Sequence, residues 1–209
     1  RDADAYQAGY AAAKTAADRA GGVPNFVFVF SSPALQQEEV IRGIRDATEQ
    51  APLLGCSTAG EITNEGPSQK SVGVMAIRSD TLSFFTGVGE DIKSGARTAG
   101  QAVAREVQKK ASAAPAERGA LRAFIMLPDV LTGNGADTVR GVLDVLGAHF
   151  PVVGGAAGDD FIFEKTYQYH DGSVVSGTVV GVGIAGARTI GIGVRHGWGP
   201  IGMPMKVTR

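Results

Sequence analysis

The sequence predicts an α/β fold of two related halves, each reading α-β-α-β followed by antiparallel strands, in layered mixed β-sheets flanked by helices. Three observations lead there. Ala51-Pro52-Leu53-Leu54-Gly55-Cys56-Ser57-Thr58-Ala59-Gly60 returns as Phe150-Pro151-Val152-Val153-Gly154-Gly155-Ala156-Ala157-Gly158-Asp159. Each copy follows an apolar strand-like run and an amphipathic helical stretch. Pro52 and Pro151 stand 99 positions apart, and Arg42-Gly43-Ile44 matches Arg140-Gly141-Val142 at an offset of 98. The pseudo-repeats divide at 1–93 and 94–209 within one domain.

Taken in order, Asp2 to Arg19 is Ala-rich, with Tyr6, Tyr10 and Ala13 spaced for one helical face and Gly21-Gly22 to end it. Asn25 to Phe30 is an unbroken aromatic and β-branched run, the pattern of a buried strand. Ser32-Pro33 breaks it. Glu38 to Gln50 places Val40, Ile41, Ile44 and Ala47 at helical spacing, and Pro52 opens the next short strand. A turn is expected at Gly55. Ser71–Ile77 and Leu82–Val88 read as a hairpin around Arg78-Ser79-Asp80.

The second half repeats the succession. Ala96 to Ala113 is helical with its basic residues late, where they oppose the macrodipole. Strand Ala123–Leu127, helix Asp137–His149 and strand Val152-Val153 follow. Thr166–His170 and Ser173–Ala185 read as a hairpin across Asp171-Gly172, and Ile190–Val194 as the last strand. Gly73-Val74 aligns with Gly181-Val182, and Thr81-Leu82 with Thr189-Ile190, both at an offset of 108. A strand-helix-strand step implies a parallel pair. One half cannot cover both faces of such a sheet with its helices, so the halves are expected to pack together.

Composition narrows the function classes. The apolar fraction of 44% and charged fraction of 20% are those of a globular protein. A net charge of −1, with no basic run, argues against a nucleic-acid binder. The longest apolar stretch, Val179 to Ala187, is too short and Gly-rich to span a bilayer. One cysteine rules out an internal disulfide and fits a reducing, cytoplasmic compartment.

Gly181-Val182-Gly183-Ile184-Ala185-Gly186 matches the dinucleotide fingerprint G-x-G-x-x-G, but no helix opens behind it to hold a pyrophosphate. The match is rejected. Gly55-Cys56-Ser57-Thr58-Ala59-Gly60-Glu61 could form an anion-binding nest of backbone N–H groups. Cys56 reads as a small buried hydrophobe more readily than as a nucleophile, because no Cys–His signature accompanies it and its repeat counterpart is Gly155. Asp159-Asp160 could meet a ligand amine or cap a turn through neighbouring backbone amides, and both readings stay open. Two adjacent carboxylates are too few for a metal site. His149 reads as a helix-end residue and His170 as a hairpin residue. His196, beside Trp198, is a fair haem-iron candidate but reads more simply as a loop residue.

These residues resemble the N-terminal domain of the FIST family of signal-transduction sensors. The similar stretches are Gly55 to Ile62, Gly154 to Asp160 with Phe163 and Thr166, and Gly197-Trp198-Gly199-Pro200-Ile201-Gly202 leading to Val207-Thr208-Arg209. The resemblance implies a non-enzymatic cytoplasmic input module for a small ligand, with amino acids or related metabolites as the class. It implies signalling outputs such as histidine kinases, chemotaxis receptors, cyclic-dinucleotide enzymes or ubiquitin-ligase (F-box) proteins. Some members look like haem-binding nitric-oxide sensors, which makes haem on His196 the first alternative and a Cys56-dependent enzyme the second. The family normally continues into a C-terminal FIST domain, which this sequence is expected to lack. The expected ligand contacts are Cys56, Ser57, Thr58, Gly155, Ala156, Asp159, Asp160 and Trp198. Ser57 and Thr58 would take a carboxylate, Asp159 or Asp160 an ammonium, and Trp198 an apolar part.

Overall fold

A computed structural model describes residues 2–195, 197–199, 201–203, 205, 206 and 208. The first half contributes α1 (Asp2–Arg19), β1 (Phe26–Ser31), α2 (Gln37–Ala47), β2 (Leu53–Ser57), β3 (Glu61–Thr63), β4 (Gly66–Ser68), β5 (Val72–Ile77) and β6 (Leu82–Gly89). The second contributes α3 (Ile92–Ser112), α4 (Ala116–Gly119), β7 (Leu121–Pro128), α5 (Gly135–Leu146), β8 (Val152–Gly154), β9 (Gln168–His170), β10 (Ser173–Val175) and β11 (Val179–Gly186).

Two mixed sheets result, ordered β10-β9-β2-β1-β5 and β6-β11-β7-β8, beside the small β3-β4 ribbon. β1 runs parallel to β2 and β7 parallel to β8, as a helical crossover requires. Three apolar clusters fix the layering. Val27, Val29 and Leu53 pack with Val40, Ile41 and Ile44 of α2. Phe124, Met126 and Val179 pack with Val103 and Val107 of α3. Between the sheets, Phe26, Phe28, Leu54 and Cys56 meet Leu127, Val180 and Val182. The order is therefore helices, sheet, sheet, helices.

The helix pairs share one device. A Cβ added at Gly9 or Gly43 would overlap the backbone carbonyl of Val40 or Tyr6, closing the α1–α2 crossing. A Cβ at Gly100 or Gly141 would overlap that of Thr138 or Arg97, closing α3–α5. The repeated Gly43 and Gly141 are thus points where two helix backbones nearly touch.

Several expectations need correction. Ser71–Ile77 and Leu82–Val88 are no hairpin: β5 pairs with β1, whereas β6 crosses to the facing sheet and pairs with β11. Ser79 tethers the crossing, its N–H donating to Asn25 Oδ1 (2.5 Å) while its Oγ accepts from the N–H groups of Thr81 and Leu82. The hairpin across Asp171-Gly172 holds only for β9 and β10, since β11 leaves for the other sheet. Gly55 lies inside β2, not in a turn, where an added Cβ would strike the Val29 carbonyl. Ile190–Val194 carries no strand pairing. His149 lies beyond α5, on the surface. The alignment of Gly73-Val74 with Gly181-Val182 is out by one. Val27 faces Leu53 and Ala76, while Phe124 faces Val152 and Gly183, so Ala76 corresponds to Gly183 at an offset of 107.

The rejected fingerprint lies wholly in β11, hydrogen-bonded on both sides. Its Gly181 and Gly183 leave room for Phe124, Val107 and Leu121.

Candidate functional site

The parallel strands β1 and β2 end side by side at Ser31-Ser32 and Ser57-Thr58, and in open α/β sheets the carboxyl ends of parallel strands are where ligands settle. The segment after β8 drops onto those ends from the second half. Gly155 N–H donates to Met126 O (3.4 Å) and Ala157 N–H to Pro128 O (3.1 Å) on one sheet. Gly158 N–H then donates to Ser57 O (2.8 Å) and Asp160 N–H to Thr58 O (3.3 Å) on the other. The two small-residue stretches that repeat in the sequence meet face to face.

They meet tightly. Ser57 is fully buried; its Oγ donates to Gly158 O (2.7 Å) and accepts from Tyr167 N–H (2.8 Å), so its side chain stitches the halves with its only donor spent and lies out of a ligand's reach. Cys56 points into the inter-sheet core at 2% exposure, and burial pushes its thiol up to about 12. A thiolate nucleophile is out of reach there. Asp159 is buried and caps the following turn, accepting from the N–H groups of Glu164 (2.7 Å) and Lys165 (3.1 Å). Burial pushes its carboxyl up, but the N–H groups of Phe163, Glu164, Lys165 and Ile162 outweigh this and hold it below the usual range. Gly155 and Ala156 lie on the surface.

Thr58 and Asp160 remain at an opening. Thr58 Oγ1 donates to Glu61 Oε1 (2.5 Å), and Glu61, itself buried, also accepts from Ser71 Oγ. Asp160 Oδ2 accepts from Ser32 Oγ (2.6 Å). Beside them lies a cavity of about 170 Å³ lined by Ala59, Gln69, Lys70, Asp160 and Phe161. It holds one carboxylate and one ammonium group. Lys70, Asp160, Phe161 and Phe163 all take left-handed backbone angles, with φ of 53°, 56°, 63° and 60°. Such conformations cost on the order of 1 kcal/mol or more each for non-glycine residues and gather at binding sites. Phe161 and Phe163 are 74% and 71% exposed, an apolar rim in edge contact with each other.

Under the site lies a polar bed. Ser31 Oγ and Tyr169 Oη are 2.7 Å apart, and both donate to Gln37 Oε1. A second depression, about 230 Å³, lies between α2 and Gly172. Its Arg42, Arg45 and Asp46 are engaged with Glu39, Gln50 and Tyr6 at the surface, which leaves little for a ligand.

Gln69, Lys70, Ser32 and Phe161 escaped the sequence reading as site residues. Phe161-Ile162-Phe163 was the available signal, an apolar run directly behind Asp159-Asp160. Trp198 is 87% exposed, and His196, the haem candidate, lies outside the described residues. His170 Nε2 is buried 3.7 Å from Asp171 Oδ2, which closes that nitrogen to a haem iron. Among the described residues no three His, Cys, Asp or Glu side chains converge on a metal position, and no helix is long and apolar enough to cross a membrane.

A comparison with curated proteins gave no match. The FIST N domain family model matches residues 25–209, from the start of β1 through the whole candidate site. By that match the chain belongs to the FIST N domain family, sensory domains implicated in signal transduction.

Proposed function

We propose that this chain is a cytoplasmic input domain that binds a small zwitterionic metabolite, of the amino-acid kind, in the cavity beside Thr58 and Asp160. One observation carries the reading: Lys70 and Asp160 place opposite charges on one small cavity roofed by Phe161. Lys70 would take a carboxylate, Asp160 an ammonium, and Phe161 an apolar side chain. At about 170 Å³ the cavity is smaller than the roughly 300 Å³ at which drug-sized pockets begin, which favours a ligand of few heavy atoms over a haem. Ser32 supports the assignment by fixing the Asp160 carboxylate with a 2.6 Å hydrogen bond. The reading narrows the sequence expectation: Ser57, Cys56 and Asp159 are buried in the fold behind the site, and Asp160 is the acid that meets the ligand.

Isothermal calorimetry of the chain against a panel of amino acids and related amines and acids tests it. Binding of at least one member is expected, weakened roughly tenfold or more by Asp160→Asn, as loss of a charged hydrogen-bonding partner predicts. Heat that is absent for the whole panel, or unchanged in both Asp160→Asn and Lys70→Met, would overturn the site.

A further inference from the structure

We propose that residues 189–195 add to the free edge of β5 as an antiparallel strand and so carry Trp198, just beyond, to the rim of the candidate cavity. The two sheets are unequal in a specific way. After β5 the first half crosses to the facing sheet as β6 and covers the outer edge of β11. After β11 the second half leaves through the matching Arg188-Thr189, but Ile190 to Arg195 pairs with no strand among the described residues, and β5 remains an edge there. Thr189-Ile190 corresponds to Thr81-Leu82, the start of β6. An edge with unpaired N–H and C=O groups is a template for one more strand, and a period-2 apolar segment is what such an edge accepts.

The seat has a definite register. Gly183 of β11 faces Phe85 of β6, Gly183 corresponds to Ala76, and Phe85 corresponds to Gly193. Gly193 therefore falls opposite Ala76, which sets Ile192 opposite Ile77 and Val194 opposite Met75. The faces then agree. Ile77 borders the inter-sheet cluster, and Met75 is 53% exposed for want of a neighbour. Ile192 and Val194, 43% and 89% exposed, would cover them from the positions that Phe84 and Thr86 hold on β6. Gly191 and Gly193 fall toward α1, where small residues leave the helix its place. Arg195 falls opposite Val74 in that register, so the chain leads Trp198, three residues on, toward the end of β5 nearest Gln69 and Lys70 of the cavity wall. This last step rests on the ligand reading above; the strand itself does not.

Cysteine pairing and hydrogen exchange test the strand without any ligand. Val194→Cys with Met75→Cys should form a disulfide under mild oxidation, while Val194→Cys with Val74→Cys, on the opposite face, should not; the native Cys56 is buried in the core. In the unmodified chain the amides of residues 191–195 should exchange on the order of tenfold or more slower than a free segment. Equal cross-linking of both pairs, or none together with free-segment exchange, overturns the proposal. The third measurement is Trp198 fluorescence titrated with an amino acid that binds by calorimetry. A spectral shift lost in Val194→Asp places Trp198 at the cavity. Protected amides with no shift would overturn the tryptophan contact and leave the strand standing, and the calorimetry alone decides the ligand reading.

Discussion

Cys56 is buried in the core between the two sheets. It lies in β2 among Phe26, Phe28, Leu54 and Val182, and its thiol is pushed up to about 12 because the thiolate would be desolvated. Thiol reagents should label it only at the rate of unfolding, at any pH below about 9; labelling of the native chain would contradict its burial. The same shift has a stability consequence. The unfolded thiol ionises near 8.5 and the folded one near 12, so its contribution is complete below about 8.5 and is lost as pH rises toward 12. Asp144 behaves oppositely. Hydrogen bonds from Arg97 and Gln101 hold its carboxyl at about 2, so its contribution is present above roughly 3.9 and lost as pH falls through 2. Urea midpoints followed from pH 5 to pH 2 should decline less steeply in Asp144→Asn than in the parent. An unchanged slope would show that the pair adds nothing to the α3–α5 contact.

At the scale of elements, the helix crossings give the sharpest prediction. Gly43→Ala or Gly141→Ala pushes a methyl into the backbone of the facing helix, which cannot withdraw as a flexible side chain could. Overpacking of this kind costs about 1–3 kcal/mol. Thermal melts should show both variants lowered by several degrees, whereas Gly147→Ala, with open space around it, should suffer only from its φ of 107°. These elements also mark what a sequence can disclose. The Phe26–Phe30 run, the Ile41/Ile44 periodicity and the Arg-Gly-Ile/Val repeat were legible because they are local patterns imposed by burial. The fate of Arg78–Asp80 was not. A short polar link can turn a strand back into its own sheet or step it into the facing one, and Leu82–Val88 has the same alternation either way. The site was half legible for the same reason. The small-residue stretches announced where the halves meet, but Lys70 reaches the cavity only through the β3-β4 ribbon, whose exposed residues carry no burial pattern.

For the molecule as a whole, the decisive feature is that each half completes the other's sheet. β6, from the first half, covers β11; β9 and β10, from the second, extend the first sheet through β2. The contact between layers is made by this exchange, with the Phe26 and Phe84 rings stacked 4.8 Å apart at 12°. A chain divided between Glu90 and Asp91 would leave β6 without any partner strand, and β2 without β9. Each fragment would also expose the apolar face that forms the middle cluster, surface that water penalises by roughly 25 cal/mol per Å². Fragments 1–90 and 91–209 should therefore each lack a cooperative melting transition by circular dichroism, and an equimolar mixture should regain one. Ligand sensing depends on this outcome, because a cavity lined by Lys70 of one half and Asp160 of the other persists only while the halves are locked together. A fragment that melted cooperatively by itself would mean that the halves are separable domains, and the interlock at Ser57 and Gly158 would then be a hinge rather than a fixed wall.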